Sequence, residues 1–418
     1  MNRLAFCTLI FSFNLLNAQT PVSDSVSLGG GYASMSFYSL AVGETANVNA
    51  KDWDLQIWNN LMSSSIRVND GAGVMLYRLQ NDDTTNWMAI DTTGMTPLYN
   101  SDTTWEIGAF SALAGVHPDY GWGIYTGGGN LTGYRIFVIK TISGNYKKIW
   151  IKRLVYDGTN AYYEIAVGNL DNTGEQLVTI AKTAYPTKEF IYYAIDSAAV
   201  KDIEPAKTDW DLVLRRYQSY ITLPPQPAQY YTVMGVLSHP AVTVAEARGV
   251  DVSINDYSAY PFEENISVIG SDWKNFNQGT FQWELIDSLA YFVSAQDGYI
   301  YKLVFTGFGG QGTGKVFFNK TQLEQASTAV ADASIRALTV YPNPASDQVQ
   351  ALFVLRQESD MTIRILDLSG KIHFDSRLKA RSGLNAFTLN TADFAQGFYL
   401  LSVNDGASQL TFKLVKNE

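Results

Sequence analysis

Residues 162–168 read Tyr-Tyr-Glu-Ile-Ala-Val-Gly, and this short stretch decides the fold class. Successive side chains of an extended chain point to opposite faces. Tyr163, Ile165 and Val167 therefore share one face, whereas Glu164 lies on the other. Alternation of this kind is typical of a β-strand with one buried face.

The sequence on both sides of this strand keeps the same character. Short runs rich in β-branched and aromatic residues are separated by sequences that favour tight turns. The clearest turn signals are Asn69-Asp70-Gly71, Asp157-Gly158, Asn172-Thr173-Gly174 and Asp297-Gly298. Between residues 20 and 325 no segment keeps apolar residues at helical spacing over several turns, so any helix is expected to be short. We therefore predict an all-β protein with one large antiparallel β domain.

A short motif occurs in two places. Phe37-Tyr38-Ser39-Leu40 is followed by Asp52-Trp53-Asp54-Leu55, and Tyr192-Tyr193-Ala194-Ile195 is followed by Asp209-Trp210-Asp211-Leu212. Two copies indicate a duplicated supersecondary unit, since solenoids need a longer series of stacked repeats. We expect both tryptophans to anchor the core, with the flanking carboxylates capping turns. Direct contact of these residues with a ligand is the alternative.

The first 18 residues have the composition of a secretory signal peptide. Arg3 supplies the positive charge, Leu4–Leu16 form a short apolar run, and Leu16-Asn17-Ala18 offers a cleavage site. Neither this run nor any later stretch reaches the roughly 18 apolar residues of a spanning helix, so no transmembrane helix is expected. The sole cysteine, Cys7, lies inside this segment. The mature chain is therefore expected to have no disulfide and no thiolate metal site.

The composition favours a packed protein and excludes some partners. Hydrophobic residues make up 46% of the chain and charged residues 17%, which allows a large core. With 30 basic and 40 acidic residues, the formal net charge is −10. Such a chain lacks the basic surface that binds nucleic acid or an anionic membrane. We therefore expect neither partner.

The chain changes character near its C-terminal end. Residues 326–337 are small and polar and are expected to be a linker. In residues 338–418 the alternation returns, with Met361, Ile363 and Ile365 sharing one face. This pattern predicts a smaller C-terminal β-sandwich.

Four motifs of this unit follow one another in order. They are Val340-Tyr341-Pro342-Asn343-Pro344-Ala345-Ser346-Asp347, Ile365-Leu366-Asp367-Leu368-Ser369-Gly370-Lys371, Gly397-Phe398-Tyr399-Leu400 and Phe412-Lys413-Leu414-Val415-Lys416. With them the unit resembles the type A sorting domain of the type IX secretion system of Bacteroidetes-type bacteria. The resemblance implies that residues 338–418 engage the type IX machinery and are cut off after the chain crosses the outer membrane. The remainder is then expected to be secreted or held at the outer cell surface, with attachment to lipopolysaccharide as one outcome.

The large domain, residues 19–325, contains further recognisable segments. Besides the two Trp-Asp-Leu segments these are Tyr231–Leu237, Val244–Ala247, Ile269–Lys274, Tyr291–Val293 and Gly298–Phe305. Over residues 27–323 the domain resembles the HmuY family, β-rich proteins named after a haem-binding surface protein. Founding members of that family hold haem through a pair of axial side chains. The resemblance therefore implies haem or a related porphyrin as a candidate ligand.

His117 and His239 are the histidines outside the C-terminal unit. If both ligated a haem iron, their imidazoles would have to face each other across the metal. Met234 lies shortly before His239 and is an alternative soft axial ligand. In the simpler interpretation both histidines are ordinary loop residues beside prolines.

Residues 115–130 form the most site-like loop of the sequence. Its glycines allow the backbone to approach a ligand. Tyr120, Trp122 and Tyr125 have side chains that stack on a porphyrin or a sugar. The alternative is a long glycine-rich turn whose aromatic residues cover the edge of a sheet.

These observations predict a secreted or cell-surface binding protein, with haem or a related porphyrin as the ligand that the resemblance favours. A structural or adhesive surface module without a small-molecule ligand is the second interpretation. A glycan-directed enzyme is the third, because export and plentiful carboxylates permit it. No catalytic motif in the sequence marks a reaction centre, so we assign no catalytic residue.

Overall fold

The structure is a computed structural model that describes residues 20–325 and 335–416. Short gaps interrupt these ranges at residues 62, 158, 223–225, 342, 344, 346, 356–357, 368–369, 382 and 407–408. The predicted signal peptide, residues 1–18, lies outside the described residues, as does most of the predicted linker. No helix among the described residues has the length and apolar character needed to cross a membrane.

Nearly all regular structure in the described residues is β-strand, which confirms the predicted all-β class. The chain begins with β1 Val22–Ser27, β2 Ser34–Ser39 and β3 Gly43–Asn49. It continues with β4 Leu55–Trp58, β5 Ile66–Val68, β6 Met75–Asp83, β7 Thr96–Leu98, β8 Gly123–Gly127, β9 Asn130–Gly133, β10 Arg135–Lys140, β11 Tyr146–Tyr156, β12 Ala161–Asn169, β13 Gln176–Ala181, β14 Phe190–Ala194 and β15 Ala199–Lys201. Then follow β16 Leu212–Ile221, β17 Gln229–Ser238, β18 Thr243–Arg248, β19 Lys274–Asn277, β20 Gln282–Leu285, β21 Leu289–Ser294, β22 Tyr299–Phe308 and β23 Lys315–Gln325.

The remaining elements are the C-terminal strands and some short helical turns. The strands are β24 Ile335–Tyr341, β25 Gln348–Leu355, β26 Ser359–Asp367, β27 Ile372–Ala380, β28 Gly383–Asn390, β29 Gly397–Asn404 and β30 Gln409–Lys416. The helical turns are α1 Gly310–Thr313 and the 3-10 turns Gly30–Tyr32, Asp70–Ala72, Thr84–Asn86, Ala109–Ser111 and Lys182–Ala184. As the sequence predicts, these helices are short.

Two sheets enclose the core of a first sandwich, formed by β4 to β15. One sheet has the strand order β15-β14-β4-β5, and the other has the order β13-β12-β11-β10-β6-β7 with β8 and β9 beside β11. Tyr163, Ile165 and Val167 lie in the core between them, as their alternation predicts. Every pairing in this sandwich is antiparallel.

A second sandwich is built from the two ends of the large domain. Its sheets have the orders β17-β16-β2-β3 and β1-β23-β22-β21-β18, so β1 to β3 join strands from the other end of the domain. Its core contains Tyr38 and Leu214 from the first of these sheets and Tyr291 and Leu303 from the second. The hairpin of β19 and β20 belongs to the connection between β18 and β21.

The inner sheets of the two sandwiches pack against each other through an aromatic seam. In β14, Ile191 and Tyr193 face the first core, while Phe190 and Tyr192 belong to the seam. The seam also contains three tryptophans, Trp53, Trp105 and Trp210. Because the inner sheets are covered on both faces, they carry apolar side chains at consecutive positions. The large domain is therefore a stack of four sheets with three layers of core between them.

The Asp-Trp-Asp-Leu motifs hold equivalent positions in the two sandwiches. Asp54 donates its N–H to the carbonyl oxygen of Tyr193, and its carboxylate accepts the N–H groups of Ile142 and Ile195 at 2.7 Å each. The carboxylate is fully buried. It therefore connects the start of β4 to the end of β14 and to the hairpin between β10 and β11.

Asp211 repeats this arrangement in the second sandwich. Its N–H donates to the carbonyl oxygen of Tyr38, and its carboxylate accepts the N–H groups of Leu40 at 2.8 Å and Gln296 at 2.9 Å. It therefore connects β16 to β2 and to the hairpin between β21 and β22. The duplication extends to whole sheets, since β13 to β15 occupy the places in the first sandwich that β1 to β3 occupy in the second.

Both motif tryptophans lie in the seam as core anchors. The ring of Trp53 lies edge-on to Tyr192 at a centroid distance of 5.1 Å, and Trp210 lies edge-on to Phe37 at 5.2 Å. Each tryptophan thus contacts a strand from the other half of the sequence. The two halves of the large domain have exchanged their first three strands.

The C-terminal unit is a separate small β-sandwich. Its sheets have the orders β24-β25-β28 and β27-β26-β29-β30, and its core contains Met361, Ile363 and Ile365 as predicted. The structure differs from the sequence analysis at two points. The strand β24 begins at Ile335, inside the predicted linker, because that side chain is buried in the core. The strand β27 was not predicted from the sequence.

Replacing Asp54 or Asp211 by Ala is expected to lower the free energy of unfolding by about 2–4 kcal/mol. Each change leaves two buried N–H groups without their acceptor. Asp52→Ala and Asp209→Ala are matched controls, because these carboxylates lie exposed in the same motifs. Denaturant unfolding of the four variants tests this expectation. Equal stability of buried and exposed variants would contradict it.

Candidate functional site

The loop of residues 115–130 brings three of the predicted site residues together. His117 is exposed, and its ring lies 6.0 Å from Tyr120 and 5.4 Å from Tyr125, measured between centroids. Asp119 fastens the loop, because its carboxylate accepts the N–H groups of Gly115 and Gly121. The exposed imidazole and the two tyrosines therefore form one small aromatic surface on the first sandwich.

Trp122 has a different position from the one that the sequence suggested. Its side chain is fully buried, its Nε1 donates to the carbonyl oxygen of Ser64, and its ring packs near Tyr163. Stacking of Trp122 on a ligand stays a prediction, and the enclosure of its ring in the first core weighs against it. The neighbouring glycines serve packing, since a Cβ atom at Gly121 would lie 2.9 Å from the carbonyl oxygen of Phe110.

His239 lies in the aromatic seam, with only 3% of its surface exposed. Its Nδ1 accepts the N–H of Ala241, and its ring lies edge-on to Trp210 at 4.4 Å. Its Nε2 lies 3.7 Å from a carboxylate oxygen of Glu189. One nitrogen is therefore engaged and the ring is enclosed by protein.

Met234 is also buried, and its side chain belongs to the core of the second sandwich. The predicted ligand set is thus divided among three surroundings: an exposed loop, the seam and a hydrophobic core. The structure does not assemble His117 and His239 as facing partners. Axial ligation of haem by this pair stays a prediction, and the enclosed position of His239 weighs against it.

Sequence reasoning did not find a cavity of 320 Å³ that lies where the two sandwiches meet. The first sandwich contributes the turn around Gly71, and the second contributes Arg215 and Arg216 of β16. A Cβ atom at Gly71 would lie 2.0 Å from the carbonyl oxygen of Arg216, so only glycine allows this approach. The available sequence signals were the triple glycine at 29–31 and the paired arginines.

Three aromatic side chains on the β19–β20 hairpin are the second feature that the sequence analysis missed. Phe276 and Trp283 are paired across the hairpin, and their rings lie 5.3 Å apart. Phe281, at the tip, is 75% exposed. Exposed aromatic clusters on a soluble domain mark interaction surfaces.

The outer face of the larger C-terminal sheet forms an open depression of 740 Å³. Arg364, Arg377 and Lys379 line it together with neutral residues of β29 and β30. Arg364 forms an ion pair with Asp375 across β26 and β27 at 2.9 Å. All the residues that line this face belong to the C-terminal unit.

Residues 339–417 match the family model of the secretion system C-terminal sorting domain. The match covers the C-terminal sandwich and confirms the predicted resemblance of this unit. The sorting domain directs the chain through type IX secretion towards the cell surface and implies contact with the type IX machinery. The resemblance of residues 27–323 to the HmuY family stays a prediction.

Comparison with solved structures found dimeric latent PorU from Porphyromonas gingivalis, at 11% sequence identity and a TM-score of 0.20. The alignment covers 69% of this chain and 31% of that one, so the chain spans about a third of the PorU structure. A similarity at this level carries no conclusion about the large domain. The comparison with curated proteins found no match.

Proposed function

We propose that residues 20–325 form a binding module that works at the outer cell surface, and that the C-terminal unit is removed after export. Supporting removal, the hydrophobic cores are separate: the described core of the C-terminal unit runs from Ile335 to Leu414. The cores of the two sandwiches contain residues only up to Leu323. A cut between the two units therefore exposes no described core residue of the module.

The aromatic hairpin supplies the contact surface of the module in this proposal. Phe276, Phe281 and Trp283 are 46%, 75% and 39% exposed. Trp283 is fixed at its base by edge-on packing against Phe308 at 5.1 Å. Phe281 has a φ of 55°, a conformation that costs a bulky residue free energy and is found most often at functional positions. Together these side chains favour the adhesive interpretation over a purely structural one.

Deleting residues 335–418 is expected to leave the unfolding temperature of the two sandwiches unchanged within about 2 °C, because their cores stay intact. Differential scanning calorimetry of the full and shortened chains measures this. Deleting β1 is the matched control, since it removes Val26 from the second core and is expected to lower the unfolding temperature. Aggregation or early melting of the chain shortened at its C-terminal end would contradict the proposed removal.

Replacing Phe276, Phe281 and Trp283 together by Ser is expected to reduce adhesion several-fold, because a few aromatic side chains usually carry most of a contact's energy. Beads coated with the protein and counted on bacterial cells provide the measurement. Val42→Ser is the control, since Val42 is the most comparable exposed apolar residue outside the hairpin, at 78%. Equal adhesion of the triple variant and the control would contradict the assignment of the hairpin as the contact surface.

Porphyrin binding is the second candidate function, and the exposed His117 between Tyr120 and Tyr125 is the observation that favours it. An accessible imidazole is an ordinary ligand of haem iron, and tyrosine rings pack on the macrocycle. In this second proposal the axial ligand is His117 of the loop, and not His239 of the seam. His239 then has a structural role.

Haemin added to the purified chain is expected, if this second function holds, to shift its Soret band. The shift should be lost in His117→Ala and kept in His239→Ala, because of these two histidines His117 is exposed and His239 is buried. Circular dichroism of both variants checks that each is folded. If the Soret band of haemin does not shift with the unaltered chain, porphyrin binding is rejected. If the shift persists in His117→Ala, the loop at residues 115–130 does not supply the axial ligand.

A further inference from the structure

The cavity between the two sandwiches has a positively charged lining in an acidic protein. Lys51, Arg215 and Arg216 are among its lining residues, and no carboxylate is. The other lining residues are glycines or have small, apolar, phenol or amide side chains, the last two being Tyr32 and the asparagines. Three cationic residues of a chain with a net charge of −10 thus line one concave position.

Arg215 is the buried member of this group, with 5% of its surface exposed. Its Nε donates to the carbonyl oxygen of Arg216, one terminal nitrogen donates to Oε1 of Gln56 at 3.3 Å, and its guanidinium lies over the ring of Trp53. Among the described residues its other terminal nitrogen has no hydrogen-bond acceptor. A guanidinium has five N–H donors in a planar fork, so donors remain for a ligand.

Arg215 shares its nearest buried carboxylate with a second arginine. Asp70 is the buried carboxylate that interacts with Arg215, but the same carboxylate interacts with the buried Arg67. Two buried guanidinium groups therefore share the Asp70 carboxylate, which also accepts a hydrogen bond from Asn100. The half-buried Asp102 is a further carboxylate that interacts with Arg67. Burial of an ionised group is costly unless the group is paired and hydrogen-bonded. An anion in the cavity would give Arg215 an anionic partner that it does not share with Arg67.

The backbone on the opposite wall is strained. Tyr32 has a φ of 56°, directly after Gly31 with a φ of 68°. Tyrosine rarely adopts this conformation, and residues held in it cluster at ligand-binding positions. Arg216 lies close enough to Tyr32 to lower the pKa of its hydroxyl, although burial raises that pKa more strongly. The phenol of Tyr32 and the guanidinium of Arg216 are therefore neighbours in the lining of the cavity.

We propose that this cavity binds a small organic acid, with its anionic group held by Arg215, Arg216 and Lys51. Its volume lies at the lower end of ordinary ligand pockets, which span about 300–1,000 Å³, and suits a molecule of monosaccharide size. The apolar side chains of the wall pack against the body of such a ligand. Carboxylate and phosphate share the geometry that arginine recognises. The proposal is independent of the aromatic hairpin.

Titration calorimetry of the full chain at low ionic strength tests the proposal. The probes are glucuronate, glucose 6-phosphate, inorganic phosphate and uncharged glucose. Binding of at least one of the two sugar acids is expected, tighter than that of inorganic phosphate, with none for glucose. Which sugar acid binds identifies the anionic group as carboxylate or phosphate. The proposal is overturned if neither sugar acid binds, or if glucose binds as tightly as the sugar acids. It is also overturned if inorganic phosphate binds as tightly as both sugar acids.

Lys51 is exposed and Arg216 is half-buried, so both provide variants that remove no core side chain. Arg216→Gln and Lys51→Gln are each expected to weaken binding roughly tenfold or more, the usual effect of losing a charge-assisted hydrogen bond. Arg78→Gln on β6 is the matched control, because that exposed arginine lies outside the cavity and should leave affinity unchanged. Unchanged affinity in both cavity variants overturns the assignment. Neither result bears on the proposed adhesion through the hairpin, which is tested separately.

Discussion

Two buried carboxylates hold the large domain together. Each accepts two backbone N–H groups, one from the strand received from the other half of the sequence and one from a hairpin of the opposite sheet. A buried carboxylate is costly unless it is hydrogen-bonded, and here the bonds join three separate segments. In a chain whose sole cysteine is at position 7, these contacts do the joining that disulfides do in many exported proteins.

The exchange of strands explains where the cavity lies. Because each half completes its sandwich with strands from the other, the loops of both halves meet at one seam. The close approach at Gly71 is possible only without a side chain, and it places the first sandwich against the backbone of β16. The cavity and its arginines are consequences of this contact. Neither half could form them alone.

Local sequence patterns predicted the parts of the fold that depend on local physics. Alternation identified the strand around Ile165, and the repeated motif identified both anchoring tryptophans. The strand β27 was missed because exposed charged residues such as Asp375 and Arg377 interrupt its apolar positions. The strand exchange could not be predicted, since it pairs β1 with β23 across almost the whole domain. The register between two strands that are distant in sequence cannot be deduced from any one short stretch of residues.

The two His-Pro pairs show most clearly why site residues resist prediction. His117 and His239 have the same neighbour in sequence but opposite surroundings, one exposed and one enclosed. His239 follows β17 and donates its N–H to the carbonyl oxygen of Asp211, as Asn69 does to Asp54 in the first sandwich. The position is therefore set by the duplicated framework, and its side chain is buried whichever residue occupies it. Burial of a histidine is decided by partners that lie far away in sequence, so composition and spacing alone could not distinguish a structural imidazole from an accessible one.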